Sequence, residues 1–494
     1  MVNGGPLPAS NGNGGSVPAR HRPLGYLLIS LALLVPCYWQ PRIEAGDLSS
    51  HIYNAWLAQL IESGRLDGLL LVRQTTNVLF DLLLSGLFRS VGPEWAQRAA
   101  VSLAVLIFAW GAFAFISTAA GRKAWHLMPS IAMLAYGWVF HMGFFNFYLG
   151  LGLCFWAMAL AWNPRPRNIG QAAAILLLSY TAHALPVLWA VGLLGFVWAA
   201  RRISVAARAR VLASALLLLG AIHALVSRVL ASHWSPDQIS LATGADQVRV
   251  FDAKYYLVLA LLLILWGSLF LELLRGRAVA TVSSIPFQLC VLSAAAVFIL
   301  PTAVLLPGYG HALVYISERM SLGVGVCVCG LLAMAPARAF QRYGLLAVAL
   351  LFFVFLFRDE RALNGFEDRM DGVIAQLPDG QRVVSPILDP ILRVNAVGHV
   401  IDRACVGHCY SYANYEPSTA QFRVRALAGN PYVVANYGDS WDLQNGTHVV
   451  EPRELPLFKI AVNRAGEMRI ESLPAGVLCG NTFWEVLRNR APGT

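Results

Sequence analysis

The chain is 494 residues long, and 57% of it is hydrophobic while only 13% is charged. A soluble globular protein carries about 25% charged residues, so a soluble enzyme and a disordered chain are both excluded. The net charge of +10 does not mark a nucleic-acid binder, because charge is sorted along the chain: residues 1–357 hold 23 Lys/Arg against 11 Asp/Glu, and residues 358–494 hold 14 against 16.

Residues 1–23 are rich in Gly, Asn, Ser and Pro and close on Arg20, His21 and Arg22. That is the composition of a disordered cytoplasmic leader. From 24 to 357 apolar runs dominate. A bilayer core of about 30 Å takes about 20 apolar residues per helix. On that measure eleven spans are predicted, at 24–40, 97–119, 125–142, 145–162, 169–182, 184–200, 209–231, 254–274, 284–306, 319–336 and 342–357. They make an all-α polytopic membrane bundle. With residue 1 inside, the short inside loops carry Arg122/Lys123, Arg165/Arg167, Arg201/Arg202/Arg208/Arg210, Arg275/Arg277 and Arg338/Arg342. Basic loops stay cytoplasmic. Ten of the eleven acids before residue 358 then lie outside, Glu272 being the exception.

The first outer loop, 41–96, reads as two amphipathic helices at the membrane interface. One covers about 47–64, with Ile52, Trp56, Leu60 and Ile61 at helical spacing. The other covers about 76–90, with Val78, Leu79, Leu82, Leu83 and Leu87. Eleven spans put residues 358–494 outside as a small α/β domain. A helix is expected at 359–376, then the turn Pro378-Asp379-Gly380. Strands are expected at 381–385, 432–436 and 456–462. Three tail cysteines, Cys405, Cys409 and Cys479, are disulfide candidates in an oxidising compartment. The organisation is thus a leader (1–23), a membrane bundle (24–357) and an extracytoplasmic domain (358–494).

Ionisable residues at membrane helix ends are costly and rarely idle. Here they share the outer side. Asp47 and His51 open the first interfacial helix on one face, and Arg73 lies between the two interfacial helices. His141 and Asn146 stand at a hairpin tip in His-Met-Gly-Phe-Phe-Asn, and His183 at the next in Tyr-Thr-Ala-His-Ala-Leu-Pro. His311, Glu318 and Arg319 border a later outer loop. Each has a plainer reading: Asp47 fits a helix N-cap, the histidines fit satisfied hairpin tips, and Arg319 fits a headgroup anchor. No Walker A loop, GxGxxG or HExxH is present, and no basic aromatic groove for nucleic acid.

The layout resembles the GT-C superfamily of integral-membrane glycosyltransferases. Members carry an acidic residue early in a first outer loop with two juxtamembrane helices, and Glu44-Ala-Gly-Asp47-Leu-Ser-Ser-His51-Ile-Tyr53 looks like that motif. The resemblance implies a general base at Asp47 and an inverting transfer. The donor would be a polyprenyl-phosphate-linked sugar, the acceptor a glycan, lipid or protein. His51, Arg73, His141, Asn146, His183, His311, Glu318 and Arg319 are the candidate substrate and donor contacts, with an arginine or protonated histidine against the leaving phosphate. Many members show two adjacent acids; here Leu48 follows Asp47. No cofactor is firmly implied, no metal ligand is assigned, and divalent-metal dependence stays open. The expected location is a bacterial inner membrane, among membrane lipid, with the tail extracytoplasmic. Two other classes compete. A transporter or flippase for a lipid-linked or polar solute would place functional polar residues on both faces, and a non-catalytic envelope assembly protein would tolerate Asp47→Ala.

Overall fold

The structure, a computed structural model, describes residues 22–488 apart from 276, 277, 420 and 464. The expected leader, up to residue 21, and Arg277 lie outside the described residues. The chain is predominantly helical. Among the described residues five helices are long and apolar enough to cross a bilayer: α3 (Leu79–Ala120), α8 (Ala184–Arg202), α9 (Val205–Val229), α10 (Tyr255–Leu274) and α14 (Ala339–Ile374). They mark a membrane protein. Around them stand α1 (Arg22–Leu34), α4 (Met128–Ala135), α5 (Trp138–His141), α6 (Phe145–Ala161), α7 (Pro166–Ala182), α11 (Ala278–Val282), α12 (Ile285–Ile299) and α13 (Ile316–Leu332).

The expected count of eleven spans is not reproduced by helices of spanning length. The run 125–142 breaks into α4 and α5 at Tyr136-Gly137, where a Cβ on Gly137 would stand 2.9 Å from the Gln247 carbonyl oxygen. Several other apolar helices stop at 15 to 17 residues. The second interfacial helix and the next span follow each other within α3 as two helices, parted at the non-helical Gly92 (φ 78°), with Pro93 opening the second. The last span and the expected tail helix are fused into the 36-residue α14. At 1.5 Å per residue α14 runs about 54 Å, well beyond a bilayer core.

Small residues set the tightest helix contact. Gly111 of α3 faces Gly152 of α6, and a Cβ on either would lie under 3 Å from the other helix. Such positions let membrane helices approach closely. Phe108 stacks on Tyr148 at 4.6 Å beside them. By contrast α9 has no buried residue, so its apolar surface suits lipid. Glu272, the acid that breaks the charge pattern, pairs with Arg275 at 2.6 Å and Arg338 at 3.0 Å.

The tail is small and mixed. β4 (Arg382–Val384) runs parallel to both β6 (Tyr410–Ser411) and β8 (Leu457–Val462), and β9 (Met468–Leu473) adds antiparallel to β8. The strand expected at 432–436 is absent. Asn430 Oδ1 instead accepts from the amides of Tyr432 and Val433, and the valines pack without a ladder.

No break in packing falls at 357/358. One hydrophobic core joins Leu48 and Ile52 to Val383, Val400, Ile401 and Cys405. In the first loop β1 (Leu69–Leu71) pairs antiparallel with β7 (Val424–Ala426) of the tail. This corrects the expectation for the first interfacial helix. It exists as α2 (Leu48–Glu62), but 11 of its 15 residues are buried, Ser49, Ser50, His51 and Asn54 among them. Its polar face meets the tail: the Ser411 amide donates to Tyr53 Oη at 3.0 Å, and Asn414 Nδ2 to Asn54 Oδ1 at 3.1 Å.

Candidate functional site

Asp47 is held by backbone. The amide of Gly46 donates to the His141 carbonyl at 2.8 Å, and that of Asp47 to Met142 at 3.0 Å. This fastens the start of α2 to the hairpin tip between α5 and α6. Gly143 closes the fastening with φ 83°, where a Cβ would come within 2.4 Å of the Asp47 nitrogen. Asp47 occupies the N-cap position with helical φ and ψ, yet its side chain makes no capping hydrogen bond. The carboxylate instead borders a cavity of about 940 Å³, and its nearest charged neighbour is His399, with Nε2 at 3.7 Å.

His399 belongs to the tail, just before α15 (Val400–Ala404). Its Nδ1 lies 3.1 Å from Asp402 Oδ2, and Ser411 Oγ donates to Asp402 Oδ1. Burial works against a charge on this ring, but the Asp402 hydrogen bond and the charges of Asp402 and Asp47 raise its pKa above the ordinary histidine value. A serine, a carboxylate and an imidazole thus line up behind Asp47.

A second polar knot lies one helical turn away. His51 Nδ1 donates to Asp81 Oδ1 at 2.7 Å, and Asn146 Nδ2 donates to Asp81 Oδ2 at 2.8 Å. Asn146 Oδ1 accepts the Phe80 amide at 2.8 Å. From the tail, Glu416 Oε1 lies 3.6 Å from His51 Nδ1 and accepts from Ser50 Oγ at 3.0 Å. Burial opposes the His51 charge, but Asp81 and Glu416 push its pKa up to about 10. Burial pushes the Glu416 carboxyl up to about 7, against the pull of His51. The imidazolium therefore binds α2, α3 and the tail together.

The cavity wall carries cations. The Arg319 guanidinium lies 3.7 Å from the centre of the Phe144 ring, and its Nε is buried with no hydrogen-bond partner. Among the described residues it has no carboxylate partner either. Arg393 lies over Trp138 and donates to the carbonyls of Asp246 and Arg249 at 2.7 Å each. His183 Nδ1 accepts the Leu185 amide at 3.2 Å, which leaves the proton on Nε2. His311 is held by Gln421, whose Nε2 donates to its carbonyl at 2.6 Å. Glu318 accepts from Thr302 Oγ1.

Seven of the nine residues singled out in the sequence line this one cavity: Asp47, His51, Asn146, His183, His311, Glu318 and Arg319. Two do not. His141 is fully buried, with Nε2 3.2 Å from Glu360 Oε1, and serves the site through its backbone carbonyl. Arg73 lies on an exposed loop away from the cavity lining. The tail disulfide joins Cys405 to Cys409, and Cys479 is a buried free thiol. No group of three or more His, Cys, Asp or Glu suited to a metal ion occurs among the described residues.

Sequence reasoning missed the tail's share of the wall, above all Arg393, His399, Tyr415, Gln421 and Trp441. The available signals were the His399–Asp402 spacing and the polar-aromatic density of Tyr410-Ser-Tyr-Ala-Asn-Tyr-Glu416. No family model matches the chain, and no curated protein or solved structure does either.

Proposed function

We propose that the protein is an inverting glycosyltransferase that moves a sugar from a polyprenyl-phosphate donor to an acceptor hydroxyl at the extracytoplasmic membrane face, with Asp47 as general base. The observation that carries this reading is the Asp47 carboxylate, free of any capping bond, in a cavity of about 940 Å³ shared with the Arg319 guanidinium, whose buried Nε has no hydrogen-bond partner among the described residues. A cavity of this size suits a small-molecule substrate. The distribution of basic loops supports the outer face.

The chemistry is a single displacement. An acceptor oxygen attacks the anomeric carbon while Asp47 takes its proton, worth about 10²–10⁴-fold in rate. The bond from the anomeric carbon to the phosphate oxygen breaks, and its electron pair leaves with the phosphate. Arg319 neutralises that developing charge. One displacement inverts the anomeric centre. Phe144, Phe145 and Phe147 on the cavity wall offer an apolar surface for the first isoprene units.

The test is Asp47→Asn in purified protein, assayed with a panel of polyprenyl-phosphate pentoses and hexoses. Asparagine keeps the size of the side chain but cannot accept the proton. Thermal unfolding should be unchanged and turnover should fall by about 10²-fold or more. Full turnover in the variant overturns the assignment of the base. Transport or assembly function that survives Asp47→Asn favours a non-catalytic role.

A further inference from the structure

The cavity has a second wall whose chemistry the transfer step does not use. The short helix α16 (Tyr437–Asn445) begins at Asn436, whose side chain accepts the Asp439 amide at 3.2 Å. Helical spacing then puts Tyr437, Trp441 and Gln444 on one face, and all three line the cavity. Trp441 is 57% exposed. An indole left this open on a cavity wall offers an apolar ring face to a ligand. Tyr437 is braced edge-on by His311 at 4.9 Å. The Gln444 amide is fixed by donation to the Ala413 carbonyl at 2.8 Å, so its oxygen is held in place and unengaged among the described residues. Asp237, in the first turn of a short 3-10 helix (Pro236–Leu241) that lines the same cavity, has a carboxylate with no ion-pair partner among the described residues.

Two aromatic faces, a fixed amide oxygen and a free carboxylate within one cavity match a particular ligand chemistry. A sugar ring has a patch of C–H groups on one face and hydroxyls around its edge. The C–H face stacks on an aromatic ring, and the hydroxyls donate to planar oxygens. No cation lies on α16 itself; the cavity's arginines, Arg249, Arg319 and Arg393, come from other elements. The rival explanation for an exposed Trp is a membrane-interface anchor. It is disfavoured because Trp441 shares its cavity wall with Gln444 and with Asp237, polar groups that lipid tails would leave unpaired.

We propose that α16 is the acceptor subsite, and that the acceptor class is a saccharide, held by stacking on Trp441 and Tyr437. The subsite is thus supplied by the tail, whereas Asp47 comes from the first loop. The proposal rests on the transferase reading for the word acceptor, but saccharide binding does not depend on turnover.

The experiment measures binding alone, by titration calorimetry on the full chain in detergent. The probes are linear oligosaccharides of two to six residues in gluco, manno, galacto and arabino configurations. At least one should bind the wild-type chain. Trp441→Ala should weaken it by about tenfold or more, while Trp441→Phe, which keeps a stacking face, should retain most of the affinity. Tyr437→Ala should weaken it as well. Two results overturn the proposal: no member of the panel binding, or equal binding by wild type and Trp441→Ala. A loss in Trp441→Ala confined to partition onto lipid vesicles also overturns it and establishes the anchor. Because no transfer is read, a failed subsite and a failed base assignment at Asp47 give separate results.

Discussion

Replacing Asp81 with asparagine should weaken the buried junction of α2, α3 and α6. Asp81 accepts two hydrogen bonds on separate oxygens, from His51 at 2.7 Å and from Asn146 at 2.8 Å. Asparagine offers one oxygen for two donors, so one buried donor is left facing an NH₂ group. His51 then loses the partner most responsible for holding its charge. Raising a histidine from 6.5 to about 10 corresponds to about 5 kcal/mol in favour of the charged ring in the folded chain. Removing one member of a buried pair typically costs about 3–5 kcal/mol, the loss expected for Asp81→Asn, with Glu416 and Asp47 still favouring the charged ring. The sign with pH follows from a folded value above the unfolded one. The His51 contribution is complete below about pH 6.5 and is lost as pH rises through about 10. Glu416, raised to about 7, acts in the same direction over a lower window, from about 4.5 to about 7. Wild-type thermal stability in detergent should therefore fall steadily on the alkaline side. Asp81→Asn should be less stable at pH 7 and should lose most of the slope between pH 7 and 10. Parallel stability profiles for the two proteins over that range would refute the account of His51 as a buried imidazolium.

Gly143→Ala should destabilise the fastening that holds Asp47. It forces a side chain into a left-handed conformation, at about 1–3 kcal/mol, and drives Cβ against the Asp47 backbone. Gly121→Ala is the control, with the same sign of φ but open space around it. Calorimetric unfolding should show a clearly larger loss for Gly143→Ala, and equal losses would show that the fastening of Asp47 tolerates repacking. For orientation in the membrane, protease added to spheroplasts should remove residues beyond α14. Cleavage only in inside-out vesicles would reverse the sidedness used for the proposed reaction.

Much of the bundle was legible because apolar runs and helix spacing are local properties. The start and end of α2, expected at 47–64 and found at Leu48–Glu62, follow from such a pattern. The convergence of Asp47, Asn146, His183, His311 and Arg319 was legible for a different reason: topology alone brings hairpin tips to one side. What stayed hidden depends on distant partners. His141 looks like its neighbours in sequence, but Glu360, 219 positions on, takes it into the core. Val433-Val434 has strand composition, but the Asn430 side chain takes the amides of Tyr432 and Val433, and only the Val434 amide reaches a neighbouring segment, at the Tyr412 carbonyl beside β6. The fusion of the last span with the tail helix in α14 escaped because Arg358, Asp359, Glu360 and Arg361 read as the end of an apolar span, whereas charged residues do not stop a helix. His399 and Trp441 lie too far along the chain for any local pattern to associate them with Asp47.

That distance has a consequence for how the protein is made. Asp47 and His399 are separated by about 350 positions, and α16 follows later still. At about 5–20 residues per second, a ribosome needs about 20–70 s to deliver His399 after Asp47 has been synthesised. During that interval the nascent chain carries its carboxylate with neither the imidazole behind it nor the aromatic wall across from it. A chain ended before residue 399 lacks both His399 and the aromatic wall of α16. The pocket is therefore complete only once nearly the whole chain has been made.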